Sequence, residues 1–311
     1  AVPGLADDGQ GSEALLSLNS VRNAVVRDVR FVNYSNGAMY VNVCKNTEIS
    51  GVIIDRATQG GVGAGYGLTT TRSRFTWIHN VVANWGQAIK FHTGAMDSLV
   101  EDIVTTDGGN AIDSHGFDEL RVTVRRATGN GGITLGNEAW AAGGSGHLVE
   151  DSDLGFLFIG PNATNVVVRR SRFAGALSLS DLDPNQADPN ANPRGGTPGN
   201  LWFEDVEFTA AQNVVNDFVW YNVRRATFVR CKFTSTNPNW GSVIKLAGAR
   251  GSLEFIECEF NAGANREAIE IATGPGNRLN LVIRNSVIRS EVGLDVGLWL
   301  RPTFQGSVMI S

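Results

Sequence analysis

Polar and apolar positions alternate in short runs along most of the chain, and one run returns at intervals of about 19 to 29 residues, with a single longer gap between Ser171 and Val206. Each copy opens on a polar or glycine position, followed by a small or apolar residue and by a second such residue two places on. The first copies are Asp28-Val29-Arg30-Phe31, Gly51-Val52-Ile53-Ile54, Asn80-Val81-Val82-Ala83, Asp102-Ile103-Val104-Thr105 and Arg126-Ala127. The series continues through Asp151-Ser152, Arg170-Ser171-Arg172-Phe173, Asp205-Val206-Glu207-Phe208, Arg230-Cys231-Lys232-Phe233, Glu257-Cys258-Glu259-Phe260 and Asn285-Ser286-Val287-Ile288. Period-two alternation rich in β-branched and aromatic residues predicts a short strand with one buried face. No stretch keeps apolar residues at helical spacing over three turns. An antiparallel sandwich would place turns every 8 to 12 residues without repeating one phrase, whereas a solenoid repeats equivalent positions in every coil.

Two further strands complete each coil. One centres on an apolar column of Met39, Leu68, Ile89, Ile112 and Ile133, which returns as Ile244, Ile269 and Leu298. The other precedes each polar-small pair, as in Asn23-Ala24-Val25-Val26, Ser98-Leu99-Val100 and Leu253-Glu254-Phe255. The expected fold is therefore all-β: a right-handed single-stranded parallel β-helix of about eleven to twelve coils with three parallel sheets, forming one domain over 1–311. A surface loop is expected at about 180–199, where SDLDPNQADPNANPRGGTPG offers four prolines and almost nothing to bury.

Composition narrows the function classes. A chain of 311 residues, 42% hydrophobic, suffices for one large core, and its 37 glycines suit many tight turns. The net charge of −5, with both signs interleaved, declares no basic face for nucleic acid. No apolar run is long enough to span a membrane. The three cysteines lack zinc spacing; Cys231 and Cys258 occupy matching phrases and are expected to stack as free, packed thiols. With no leader at Ala1, removal of a leader or N-terminal region is expected.

Candidate chemistry gathers between Trp85 and Trp140. Gln87-Ala88-Ile89-Lys90-Phe91-His92, Asn110-Ala111-Ile112-Asp113-Ser114-His115 and Gly131-Gly132-Ile133-Thr134-Leu135-Gly136 superpose, and the first two lie 23 residues apart. Stacked strands about 4.8 Å apart would set Lys90 beside Asp113 and His92 beside His115. The outward ledge then reads Thr69, Lys90, Asp113 and Thr134, with Thr71, His92, His115 and Gly136 two places on. Tyr66, Gln87 and Asn110 stand three places before it, and Asn137, Glu138 and Trp140 follow the third phrase. Imidazole titrates near pH 6.5 and serves as acid or base. Lys90, Gln87 and Asn110 suit a developing negative charge on a carboxylate or enolate. A neutraliser, a base and a proton donor are what proton abstraction beside a uronic-acid carboxylate requires. Tyr66 and Trp140 would be sugar-stacking platforms. The structural alternative is a hydrogen-bonded ledge with a surface Lys90–Asp113 ion pair, worth under about 1 kcal/mol. Trp220, Lys245, Glu270 and Arg301, on later coils, could extend the groove.

The repeat over nearly all of the chain resembles the pectin-lyase-like right-handed β-helix superfamily of polysaccharide lyases, some glycoside hydrolases, uronan epimerases and phage tailspike depolymerases. The Asp113-Ser114-His115 phrase is locally similar to mannuronan C5-epimerases and related alginate lyases, whose phrase is Tyr-Gly-Phe-Asp-Pro-His. That likeness implies the Asp and His roles for Asp113 and His115, and the Lys role for Lys90. Asn110 stands where those proteins have Tyr, so Tyr66 or His92 would supply the second proton-transfer group. The polygalacturonate-cutting hydrolases use paired aspartates and a Gly-His-Gly phrase, neither of which stands on this ledge; there only Asp113 with Glu138 offers two carboxylates.

The expected function is β-elimination on an acidic polysaccharide, with His115 or His92 as base, Asp113 orienting the imidazole, and Lys90 with Asn110 or Gln87 neutralising the carboxylate. The alternatives are C5 epimerisation at the same site, glycoside hydrolysis, or a non-catalytic glycan-binding tail-fibre module. The expected setting is extracellular or virion-borne, as a monomer or a side-by-side homotrimer, with no nucleic-acid or membrane partner. No metal is expected at the catalytic site. Asp181, Asp183, Asn185 and Asp188 resemble a calcium-loop fragment, but the sixth-position glycine and twelfth-position acid of such a loop are absent.

Overall fold

The computed structural model describes residues 14–311 apart from 35–36, 56–65, 85–87, 108, 115–118, 137–143, 161–162, 176, 180–198, 211–214, 217–221, 237–241, 247–249, 263–266, 272–277, 291–295 and 303. The chain folds as a parallel β-solenoid, with no helix among the described residues. The first sheet stacks twelve strands, from Ala14–Asn19 through Tyr66–Thr71, Ile89–His92, Asn110–Ser114 and Gly132–Leu135 to Val296–Leu300. Neighbouring strands are parallel and one coil apart, so the intervening chain must travel round the other two sheets. Register aligns Leu16, Met39, Leu68, Ile89, Ile112 and Ile133 in one inward column. Register carries the series on through Leu157, Leu177, Val215, Ile244 and Ile269 to Leu298, with Leu157, Leu177, Ile244 and Ile269 buried. Burying this column removes apolar surface from water at roughly 25 cal/mol per Å².

The second and third sheets meet at a corner whose geometry explains the repeated phrase. The opening residue of every copy, from Asp28 and Gly51 through Arg126 and Asp151 to Asn285, has left-handed backbone with φ between 46° and 61°. The single left-handed residue turns the strand while its amide still bonds the coil above, as from Asp205 to Val229 O at 3.0 Å and from Arg230 to Ile256 O at 2.9 Å. Asn and Asp tolerate this region, and other side chains are rare in it. At Gly51 a Cβ would lie 2.5 Å from Asp28 Oδ1, so a larger residue there would push the Asp28 side chain aside. In early coils one strand continues round the corner, as in Arg74–Ala83; in later coils it breaks in two, as in Leu201–Glu204 and Glu207–Ala210.

The corner and the position before it carry a charge ladder with a repeat of two coils. Arg126 reaches Asp102 through Nε at 2.7 Å and Nη2 at 2.9 Å, and Glu101 through Nη2 at 2.6 Å. Arg170 repeats this on Asp151 and Glu150, and Arg230 on Asp205 and Glu204. The Arg126 hydrogen bonds hold Asp102 below the usual carboxylate range. Burial pushes Glu101 up, but hydrogen bonds from Arg125, Trp77 and Arg126 outweigh it and leave that carboxyl lowered as well.

The core changes character along the axis. In the later coils Phe203, Phe228 and Phe255 stack at 4.5 and 5.0 Å, beside a second stack of Phe173, Phe208, Phe233 and Phe260 at 5.3 to 5.7 Å. The earlier coils are mainly aliphatic, with Phe31, Tyr34 and Phe91 among the buried residues, and admit polar groups: Thr47 and Thr76 are 1% exposed, and so is His147, whose Nδ1 accepts the Val122 amide at 3.3 Å. Burial pushes His147 down to about 4. Cys231 and Cys258 are free and buried in this interior, as expected, and burial pushes the Cys231 thiol up.

Candidate active site

Register brings the ledge together. Asp113 pairs with Lys90 and Lys90 with Thr69, while His92 pairs with Thr71. Lys90 alternates with Ile89 and Phe91, both in the hydrophobic core, so Lys90 and Asp113 belong to the opposite, outward side of the strand. They are nevertheless buried, at 4% and 0% exposure, which differs from the surface ion pair of the structural alternative. Tyr66 contacts both. Its hydroxyl donates to Asp113 Oδ2 at 2.5 Å, and Lys90 Nζ lies 4.7 Å from its ring centroid.

Tyr66 therefore crosses from its own strand over the Lys90 strand to the Asp113 strand. At 3% exposure it is no stacking platform, contrary to the expectation for a rim aromatic. A phenol donating to a carboxylate at this distance forms a charge-assisted hydrogen bond, and the ammonium over the ring adds a cation–π contact. Together they pack two ionisable groups and a proton carrier into one buried cluster.

His92 is the half-buried member of the set. Its Nδ1 lies 3.0 Å from Thr93 Oγ1, a partner that sequence reasoning missed. In the tautomer with hydrogen on Nδ1, His92 donates to Thr93. Thr93 and Gly94 are both left-handed, at φ 37° and 71°, and form the bend that leaves the strand. Asn110 Oδ1 accepts the Thr134 hydroxyl at 3.1 Å, so these two polar residues of adjacent coils are linked.

His115, Gln87, Asn137, Glu138 and Trp140 lie outside the described residues, as do Trp220, the calcium-loop residues Asp181, Asp183, Asn185 and Asp188, and nearly all of the 180–199 insertion. No group of three potential metal-ligating side chains occurs among the described residues. The later residues Lys245, Glu270 and Arg301 do converge. Glu270 accepts from Arg301 Nε at 2.8 Å and from Ser242 Oγ at 3.1 Å, with Lys245 Nζ at 3.8 Å. The Arg301 guanidinium lies 3.7 Å from the Trp299 ring centroid.

No protein-family model matches the chain, and no curated protein sequence matches it. Among solved structures it is similar to a hyperthermoactive exopolygalacturonase from Thermotoga maritima, at 14% identity and a TM-score of 0.48, over 95% of this chain and 79% of that one. It is also similar to a family 28 exopolygalacturonase from Yersinia enterocolitica, at 12% identity and a TM-score of 0.45, over 88% of this chain and 46% of that one. The polygalacturonase activity is that of those two proteins. The architecture of this chain rests on its own strand register.

Proposed function

We propose that the chain is a carbohydrate-active enzyme that cleaves an acidic polysaccharide by β-elimination at a uronic acid. The observation that carries the proposal is the Tyr66 hydroxyl at 2.5 Å from Asp113 Oδ2, with Lys90 Nζ over the same ring. In the reaction a base removes the proton from C5, its electron pair becomes the C4–C5 double bond, and the C4–O bond breaks as the leaving oxygen takes a proton. His92 or His115 is the base, Tyr66 the proton donor. Asp113 orients Tyr66, a role the sequence assigned toward imidazole. Lys90, with Asn110 or Gln87, stabilises the negative charge that grows on the uronate carboxylate. A purely structural ledge has no need of a phenol, a carboxylate and an ammonium placed together out of water.

The same two proton-transfer groups, an imidazole and the Tyr66 phenol, serve C5 epimerisation as a second reading, in which C5 loses its proton on one face and regains one on the other while the C4–O bond stays intact. A panel of uronans tests both. Unsaturated products absorbing in the ultraviolet support elimination, whereas solvent deuterium entering intact polymer supports epimerisation. Asp113→Asn and Lys90→Met should each lower the rate by about 10²- to 10⁴-fold while the protein stays folded. Reducing ends without absorbance would assign hydrolysis instead, and silence on every uronan by a folded protein would remove an enzymatic role on these substrates.

A further inference from the structure

The second sheet carries an exposed feature that the proposed reaction does not use. Trp77 and Trp202 are 40% and 39% exposed and occupy one outward column. Register links them through Leu99, Thr123, Leu148 and Val167, five coil steps in all, or about 24 Å. Both indoles are tied down. Trp77 Nε1 donates to Glu101 Oε1 at 2.7 Å and Trp202 Nε1 to Glu204 Oε2 at 3.4 Å. One face of Trp77 stacks on His79, centroids 4.0 Å apart and planes 18° apart. His79 is held in turn by the Asn80 amide at 2.9 Å and by Glu48 Oε1 at 3.4 Å.

We propose that this face is a secondary binding platform for an extended, uncharged saccharide chain, with Trp77 and Trp202 as its two stacking points. The groups that flank the column select the ligand's chemistry. The neighbouring ladder alternates in sign and is paired within itself, so a charged polymer finds little net attraction along it. Its ions stay wet: Arg126 and Asp102 side chains are 47% and 41% exposed, and Arg170 and Asp151 are 47% and 43% exposed. An apolar peptide would strip that water and return few hydrogen bonds to the side chains. Sugar hydroxyls replace the water one for one, while the C–H face of a pyranose packs on a ring plane. Rings already fixed by their N–H groups lose little freedom on binding.

The test is a titration of the whole chain with neutral gluco-, manno- and galacto-oligosaccharides of six to eight units, read by tryptophan fluorescence and indole N–H resonances. The expected result is a saturable shift whose affinity falls about ten-fold in Trp77→Ala and in Trp202→Ala. Trp77→Phe, which keeps a ring, should retain most of the binding, and Asp113→Asn should leave it unchanged, separating this platform from the proposed reaction centre. The proposal is overturned if no neutral saccharide shifts the signals, or if the shift survives the Trp77→Ala/Trp202→Ala double variant. Concentration-dependent self-association abolished by Trp77→Ala would assign the face to a second copy and overturn it equally.

Discussion

His147 shows how a single side chain can set a pH limit. Its folded pKa is depressed to about 4 by burial, against about 6.5 when unfolded. The unfolded chain therefore binds the proton first, and stability falls as pH drops from about 6.5 toward about 4. The full effect is about 3 kcal/mol, at about 1.4 kcal/mol per unit. Urea midpoints measured at pH 6.5 and 4.5 should fall accordingly in the parent and flatten in His147→Val, whose column neighbours Val122 and Val166 are already valines. Residues at the candidate site differ in how much of their role the sequence disclosed. Lys90 and Asp113 sit at the same place in superposable phrases, so their adjacency follows from the repeat. Tyr66 does not, because its contact spans two coils and a repeat pattern marks only equivalent positions.

At the level of the corner, the ladder's hydrogen bonds form separate units, while Arg126 and Arg170 also act through space on the acid of the next unit. Arg126 pairs with Asp102 and Arg170 with Asp151, and among the described residues no ion pair joins Arg126 to Asp151. Double-mutant cycles should therefore give a larger coupling for Arg126→Ala with Asp102→Ala, which are hydrogen-bonded, than for Arg126→Ala with Asp151→Ala, which interact only through space. Added salt should weaken the first coupling. Equal coupling of both would mean that the charges act as one field. The alternation of Asp and Arg at this position is plain in the sequence, as is the strand that follows. The left-handed turn was hidden, because Arg126, Arg170 and Arg230 are not residues that announce positive φ.

For the molecule as a whole, the change from a mainly aliphatic interior to one of stacked phenylalanines should divide the solenoid in stability. Seven phenylalanines in two stacks tie successive coils together, whereas Thr47 and Thr76 bury hydroxyls that have no partner among the described residues. Amide hydrogen exchange should be slowest in Leu201–Glu204, Asn222–Val229 and Arg250–Ile256 and faster in Lys45–Ile54. Phe228→Ala should cost about 3 to 5 kcal/mol and loosen the coils on either side. Uniform protection along the axis would refute the division. The stacked architecture was legible because each coil restates it. The lateral reach of long side chains was not, since a one-dimensional pattern carries no record of which coil a side chain leans toward.

The two-coil repeat of the charge ladder has a consequence for how such a spiral can change length. Excising the single turn that bears Arg125 and Arg126 would leave Glu101 facing Glu150 and Asp102 facing Asp151, like against like. Excising two turns would restore every match. Over this stretch insertion and deletion obey a parity rule, and the natural unit of growth is a doublet of coils.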